Sequence, residues 1–147
     1  MAVRAIQERW RIGIAPAIAL TLFGTLTGVA LAKMSGPTEH KGLTIGKLGV
    51  IGEEMLRRQT GLEGYLMQLR AITIAPGGQI AEHSHEKRPG LVKVIDGEAV
   101  EGRETGETVF AGDGAEAIIE DGDTVHWFYN RTDAPATAIV CDLTPVS

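Results

Sequence analysis

The sequence predicts an all-β domain, a sandwich or barrel of short strands, placed behind a hydrophobic amino-terminal helix. Three observations predict it. From Tyr65 onward, short β-prone runs alternate with glycine-bearing turns. No run after residue 60 has helical length and period, which excludes a parallel βαβ architecture. Ile12 to Ala32 is a 21-residue stretch without a charge.

A helix rises about 1.5 Å per residue, so the Ile12–Ala32 stretch matches the roughly 30 Å hydrocarbon core of a bilayer. Arg4, Arg9 and Arg11 precede it, opposed only by Glu8. By the positive-inside tendency, the first residues stay in the cytoplasm and the remainder lies outside. The stretch ends in Ala30-Leu31-Ala32, a small-x-small pattern that a signal peptidase accepts. Residues 1–32 are therefore expected to be a cleaved signal peptide or a membrane anchor; a buried soluble helix is the third reading. Either of the first two makes the domain periplasmic, free or tethered to the inner membrane, and touching the membrane only through residues 12–32.

Residues 33–60 read as a linker or extension, and 61–147 as the globular domain. Lys33 to Gly42 is polar and turn-rich. Glu53/Arg57 and Glu54/Arg58 stand at i,i+4 spacing, which supports a short helical turn there, against a solvated loop. The expected strands are Tyr65–Ile74, Gln79–His85, Leu91–Ile95, Ala99–Arg103, Thr108–Phe110, Glu116–Ile119, Thr124–Asn130 and Ala136–Leu143. Pro76-Gly77-Gly78, Pro89-Gly90, Asp96-Gly97, Gly106, Gly112-Asp113-Gly114, Asp121-Gly122-Asp123 and Asp133-Ala134-Pro135 divide them.

Charge and cysteine content narrow the function. The chain of 147 residues carries a net charge of −5, and removal of residues 1–32 takes this to −7. No basic stripe is present to bind a phosphate backbone, so nucleic acid is not an expected partner. One cysteine, Cys141, forms no internal disulfide and is expected as a buried small hydrophobe in the run Ala138–Cys141. A small domain without disulfides leans on its core or on a homodimer. The sequence has no P-loop, no GxGxxG opening a helix and no GxSxG. Glu98, Glu101, Glu104 and Glu107 read as a solvated acidic hairpin.

Histidine carries the chemistry. His83 and His85 form His-Ser-His, and residues i and i+2 of a strand project from one face. A third imidazole, His126, from a neighbouring strand would complete three cis positions around a divalent metal. Imidazole suits Fe, Ni, Zn, Cu and, with oxygen donors, Mn. The fourth histidine, His40, lies in the linker and reads as solvated. With His126 inward, Phe128 and Asn130 share its face, while Trp127 and Tyr129 point the other way. Trp127 is then free to cover a dimer interface or to pack on the amino-terminal strand. Val92 and Val94 share a face across the barrel. Val92, Val94, Phe128 and Asn130 are the candidate ligand-binding residues; ordinary core for the first three, and a turn-holding role for Asn130, are the alternatives.

Gly77 to Gly97, GGQIAEHSHEKRPGLVKVIDG, resembles the first cupin motif, with Gly77, His83, His85 and Gly97 in register. Gly114 to Asn130, GAEAIIEDGDTVHWFYN, resembles the second, with His126 and Asn130 in register. The tail from Pro135 to Leu143 resembles the final cupin strand. The resemblance implies a double-stranded β-helix, a small jelly-roll barrel, with metal ligands His83, His85 and His126 in its mouth. Two departures stand out. Gly90 occupies the position of the usual glutamate ligand, and Asp121-Gly122-Asp123 replaces the usual Pro-x-Gly. Glu82 and Glu86 alternate to the face opposite the two histidines and are poor substitutes. A three-histidine site without a carboxylate is similar to that of thiol dioxygenases in the cupin superfamily. The expected cofactor is a divalent metal (Fe, Mn, Ni or Zn) and the expected partner a small molecule, with dioxygenase or isomerase chemistry. A non-enzymatic binding or sensing cupin with a degenerate metal site is the alternative.

Overall fold

The computed structural model describes residues 33–114 and 116–146. The expected signal peptide or anchor, with its hydrophobic helix, lies outside the described residues. Among those described, no helix is long and apolar enough to cross a membrane.

The elements in chain order are β1 (Lys41–Ile51), α1 (Glu53–Thr60), β2 (Tyr65–Ser84), β3 (Gly90–Asp96), β4 (Glu98–Arg103), β5 (Gly106–Ala111), β6 (Ile118–Glu120), β7 (Val125–Tyr129) and β8 (Ala136–Pro145). The strands form one curled antiparallel sheet in the order β5-β4-β7-β2-β8-β3-β6, with β1 added against β2.

Strand β2 makes the curl. Its first half, Tyr65–Ile74, pairs with β8, and its second half, Gln79–Ser84, pairs with β7. The change of partner falls at Pro76-Gly77-Gly78. Gly77 has φ +66°, open to glycine at no steric cost. A Cβ on Gly78 would lie 2.8 Å from the carbonyl oxygens of Ala75 and Lys41. Asn130 accepts from the Gly77 amide and donates to the Gly78 carbonyl through its backbone, which pins the bend to β7. The runs 65–74 and 79–85, read from sequence as two strands, are therefore one strand that crosses between the two walls of the barrel.

The inner faces of the two walls form the core: Ile74, Val92, Val94, Ala99, Ile118, Phe128, Ala136 and Val140 are buried together. The tight β3–β4 turn places Gly97 at φ +68°, beneath the Pro135 carbonyl. The short helix expected at Glu53–Arg58 is α1. It carries Glu53 and Glu54 in its first turn and Arg57 and Arg58 in its last, as the helix dipole favours, and ends on Gly61 at φ +78°.

Two expectations change. Residues 41–51 are a strand, although most of their apolar side chains are exposed: Ile45, Leu48, Val50 and Ile51 are exposed, and Leu43 packs on the core. Cys141 is half-buried, flanked in register by Leu69 and Leu91, and is not a core residue.

The segment before β1 lies on the barrel. Met34 donates to the Glu104 carbonyl, the Glu82 amide to the Pro37 carbonyl, and the Gly36 amide to Glu82 Oε2 at 2.7 Å. Trp127 is the side chain beneath it, 1% exposed, against Gly36 on one side and Gly102 on the other. Of the two roles open to the outward Trp127, packing on the amino-terminal segment is the one observed.

Candidate metal centre

β2 and β7 bring the histidines together. His83 and His126 are direct partners in the β2–β7 ladder, and His85 follows one residue past the end of β2. The His85 amide donates to the Thr124 carbonyl, which keeps the chain beside β7 as the strand ends. The three ring centroids are 4.7, 4.9 and 5.0 Å apart. One ring nitrogen from each lies within 4.8 Å of the others. His126 and His85 are 0% and 1% exposed; His83 is half-buried.

Each ring has an acceptor at Nδ1. His83 Nδ1 is 2.8 Å from the Ala81 carbonyl, His85 Nδ1 2.9 Å from the Arg88 carbonyl, and His126 Nδ1 2.7 Å from Glu101 Oε1. An acceptor at Nδ1 holds the proton there and leaves Nε2 with a free lone pair. His85 Nε2 and His126 Nε2 face each other at 3.2 Å. Two lone pairs at that distance repel, unless a cation stands between them or one ring takes a second proton.

The acid–base balance agrees. Burial lowers His83 to about 4, reinforced by the charges of its two neighbouring histidines and opposed by its backbone hydrogen bond. Burial likewise lowers His85. Burial also works against charge on His126, but its hydrogen bonds to Glu101 and Glu120 outweigh this and raise it. His83 and His85 therefore reach neutral pH unprotonated, as ligands must be.

Glu101, read from sequence as one of four solvated hairpin acids, is 4% exposed and orients His126. Arg103 Nε donates to the same oxygen at 2.9 Å. Burial alone would raise this carboxyl; the bonds from His126 and Arg103 reverse that and lower it. Strand alternation gave no signal here, because Ala99, Val100, Glu101 and Gly102 are all buried and both faces of β4 are covered. Glu107 does stay at the surface, in a bidentate pair with Arg131 at 2.6 and 2.7 Å.

A second carboxylate was missed. Glu120, on β6, is 3% exposed. Its Oε1 lies 3.3 Å from His126 Nε2 and its Oε2 3.3 Å from His85 Nδ1. Glu82 and Glu86, by contrast, are exposed, Glu82 on β2 and Glu86 in the turn that follows it.

Beside the histidines opens a cavity of about 220 Å³. Val92, Val94 and Phe128 line it, with Ile72, Ile74, Ile80 and Val140, and the same three also belong to the buried core. Its polar members besides His83, His85 and Glu120 include Arg70, Arg88 and His40. Arg70 Nη2 donates to buried Asp142 Oδ2 at 2.7 Å, and Arg88 Nε approaches the same oxygen at 3.5 Å. His40 is exposed, as expected of a linker residue, yet its Nδ1 accepts from the Ala81 amide at 3.0 Å.

Asn130, the remaining candidate ligand-binding residue, is fully committed elsewhere. Its Nδ2 donates to the carbonyls of Ile74 and Ala134, and its Oδ1 accepts from the amide and hydroxyl of Thr132. It holds the β7–β8 turn, and no donor or acceptor is left for a ligand.

Residues 70–142 match the cupin domain family. No curated protein sequence matches the chain. Among solved structures, the fold is similar to a predicted oxalate decarboxylase from Thermotoga maritima, at 14% identity and TM-score 0.56, over 78% of this chain and 90% of that one. It is also similar to the cupin domain of an XRE family transcriptional regulator from Enterobacter cloacae, at 18% identity and TM-score 0.54, over 72% and 100% of the two chains. An oxalate oxidase in complex with the substrate analogue glycolate matches at 18% identity and TM-score 0.50, over 77% and 60%. At these identities the likeness establishes the fold.

Proposed function

The chain carries a cupin domain at residues 70–142, and on that premise we propose that it binds one divalent metal through His83, His85 and His126 and presents a small molecule to it. One observation carries the reading. All three rings have Nδ1 satisfied by an acceptor, so three Nε2 lone pairs are left with no donor, among the described residues, closer than Arg88 Nη2, 3.4 Å from His85. Such a donor set fits a metal and fits little else. Fe, Mn, Ni and Zn all accept it.

The bound metal would supply Lewis-acid activation of a coordinated oxygen or carbonyl group. The protein supplies the rest. Glu101 fixes the His126 tautomer and ring plane. Val92, Val94, Ile72 and Phe128 exclude water and hold an apolar body. Arg88, whose Nη2 lies 3.4 Å from His85 Nε2, favours an anionic group on the ligand, as does the +2 charge left by three neutral imidazoles. Dioxygenation or isomerisation of a small, largely apolar acid is the chemistry that suits this pocket.

The test is metal content in the purified full-length chain. Close to one equivalent in the wild type, and a tenfold or greater loss in His83→Ala and His126→Ala, is the expected result. Equal and negligible metal in all three overturns the reading.

We also propose that the domain is exported, either cleaved after Ala32 or tethered by residues 12–32; the charge-free stretch behind three arginines supports this. A fusion of residues 1–40 to a reporter active only outside the cytoplasm tests it. Reporter activity is expected, and its absence contradicts export.

A further inference from the structure

We infer that Glu120 supplies a carboxylate ligand to this metal centre, in the space that Gly90 leaves open. The inference rests on the three-histidine reading above.

Gly90 and Glu120 are cross-strand partners in the β3–β6 ladder. A Cβ built on Gly90 would lie 2.9 Å from Glu120 Oε2 and 2.9 Å from Asp142 Cβ. The volume that any side chain at position 90 would need is therefore filled, and Glu120 fills part of it. A carboxylate has reached the histidines from the opposite strand, at the one place where the facing residue has no side chain.

The distances are those of shared coordination. Two ligand atoms each about 2.1 Å from one ion, at cis angles between octahedral and tetrahedral, stand about 3.0–3.4 Å apart. His85 Nε2 to His126 Nε2 is 3.2 Å, and Glu120 Oε1 to His126 Nε2 is 3.3 Å. These three atoms are all acceptors once each Nδ1 carries the only proton on its ring, and an ion among them reconciles that convergence where a second proton on His126 does not.

The energetics point the same way. Glu120 is 3% exposed, and its Oε2 has no hydrogen-bond partner among the described residues. Burying a carboxylate without full hydrogen bonding is unfavourable. A hard cation offsets that cost, and an anionic oxygen donor in turn widens the metals the site accepts towards Fe and Mn. The charge of the metal and its ligands falls from +2 to +1, which still favours an anionic small molecule.

Cobalt(II) titration of the full-length chain, read by its visible absorption, tests this. Glu120→Gln keeps the shape and removes the charge. It should weaken cobalt binding at least tenfold and change the ligand-field bands, while His83→Ala nearly abolishes binding. A Glu120→Gln chain that binds with wild-type affinity and an unchanged spectrum overturns the role of Glu120 and leaves the three-histidine centre standing. A wild type that takes up no cobalt overturns both. If Glu120→Gln does not fold, a crystal structure of the cobalt-loaded wild type decides. A Glu120 oxygen about 2.0–2.2 Å from the ion supports the inference, and one beyond 3 Å ends it.

Discussion

Glu101 Oε1 and His126 Nδ1 stand 2.7 Å apart, both buried, and this contact turns Nε2 of His126 towards His85. Glu101 thus acts through His126. Glu101→Gln should weaken metal binding about 10–100-fold, the usual effect of losing such a partner. Isothermal titration with Mn²⁺ or Zn²⁺ checks it. An affinity within a factor of two of wild type would show that the ring is held by packing alone.

The histidines should titrate apart in the metal-free chain. Burial holds His83 near 4, whereas an unfolded chain protonates it near 6.5. The stability that its neutral form contributes is complete above pH 6.5 and is lost as the pH falls towards 4. His126 has the opposite sign, because its pKa is raised: its contribution is complete below 6.5 and is lost as the pH rises through the elevated value. Nuclear magnetic resonance titration of the ring protons checks both. His83 titrating near 6.5 would contradict its burial.

Asn130 should matter for stability rather than for binding. Asn130→Ala removes two donors from the Ile74 and Ala134 carbonyls at a 1% exposed site. A loss of about 1–3 kcal/mol is expected, read by chemical denaturation, with metal affinity unchanged. A drop in metal affinity without a drop in stability would return Asn130 to the site.

Trp127 tests the outer packing. A Cβ on Gly36 would lie 2.5 Å from the indole, and one on Gly102 would overlap Nε1. Gly102→Ala should therefore destabilise by about 1–3 kcal/mol, the range for overpacking, and lower the melting temperature. Gly36→Ala should lift residues 33–40 and expose Trp127, which its fluorescence maximum would report as a red shift. An unchanged spectrum would mean that the segment does not cover the ring.

Much of this was legible in the sequence. Glycine-divided runs and the absence of helical period specified an all-β domain, and HxH with a distant histidine located the three-histidine cluster, because i,i+2 geometry is local. Val92, Val94 and Phe128 followed from alternation once one inward residue was known. What stayed hidden depended on register between distant strands. Nothing local says that Gly90 faces Glu120, or that the acid in Val100-Glu101-Gly102 is the one turned inward. The long β2 was read as two strands because Pro76-Gly77-Gly78 looks like a turn, although here it is a bend between two pairings. β1 escaped because most of its apolar residues are exposed and only Leu43 packs on the core, so no continuous buried face imposes alternation.

The central claim is that three Nε2 atoms grip one ion while each Nδ1 keeps its proton. Long-range ¹⁵N–¹H correlation spectra of the full-length chain, recorded with and without one equivalent of Zn²⁺, test it most directly. The account predicts that His83, His85 and His126 move together to the Nδ1–H, Nε2-metallated pattern, and that His40 does not. Unchanged spectra, or ligation through Nδ1, would contradict it.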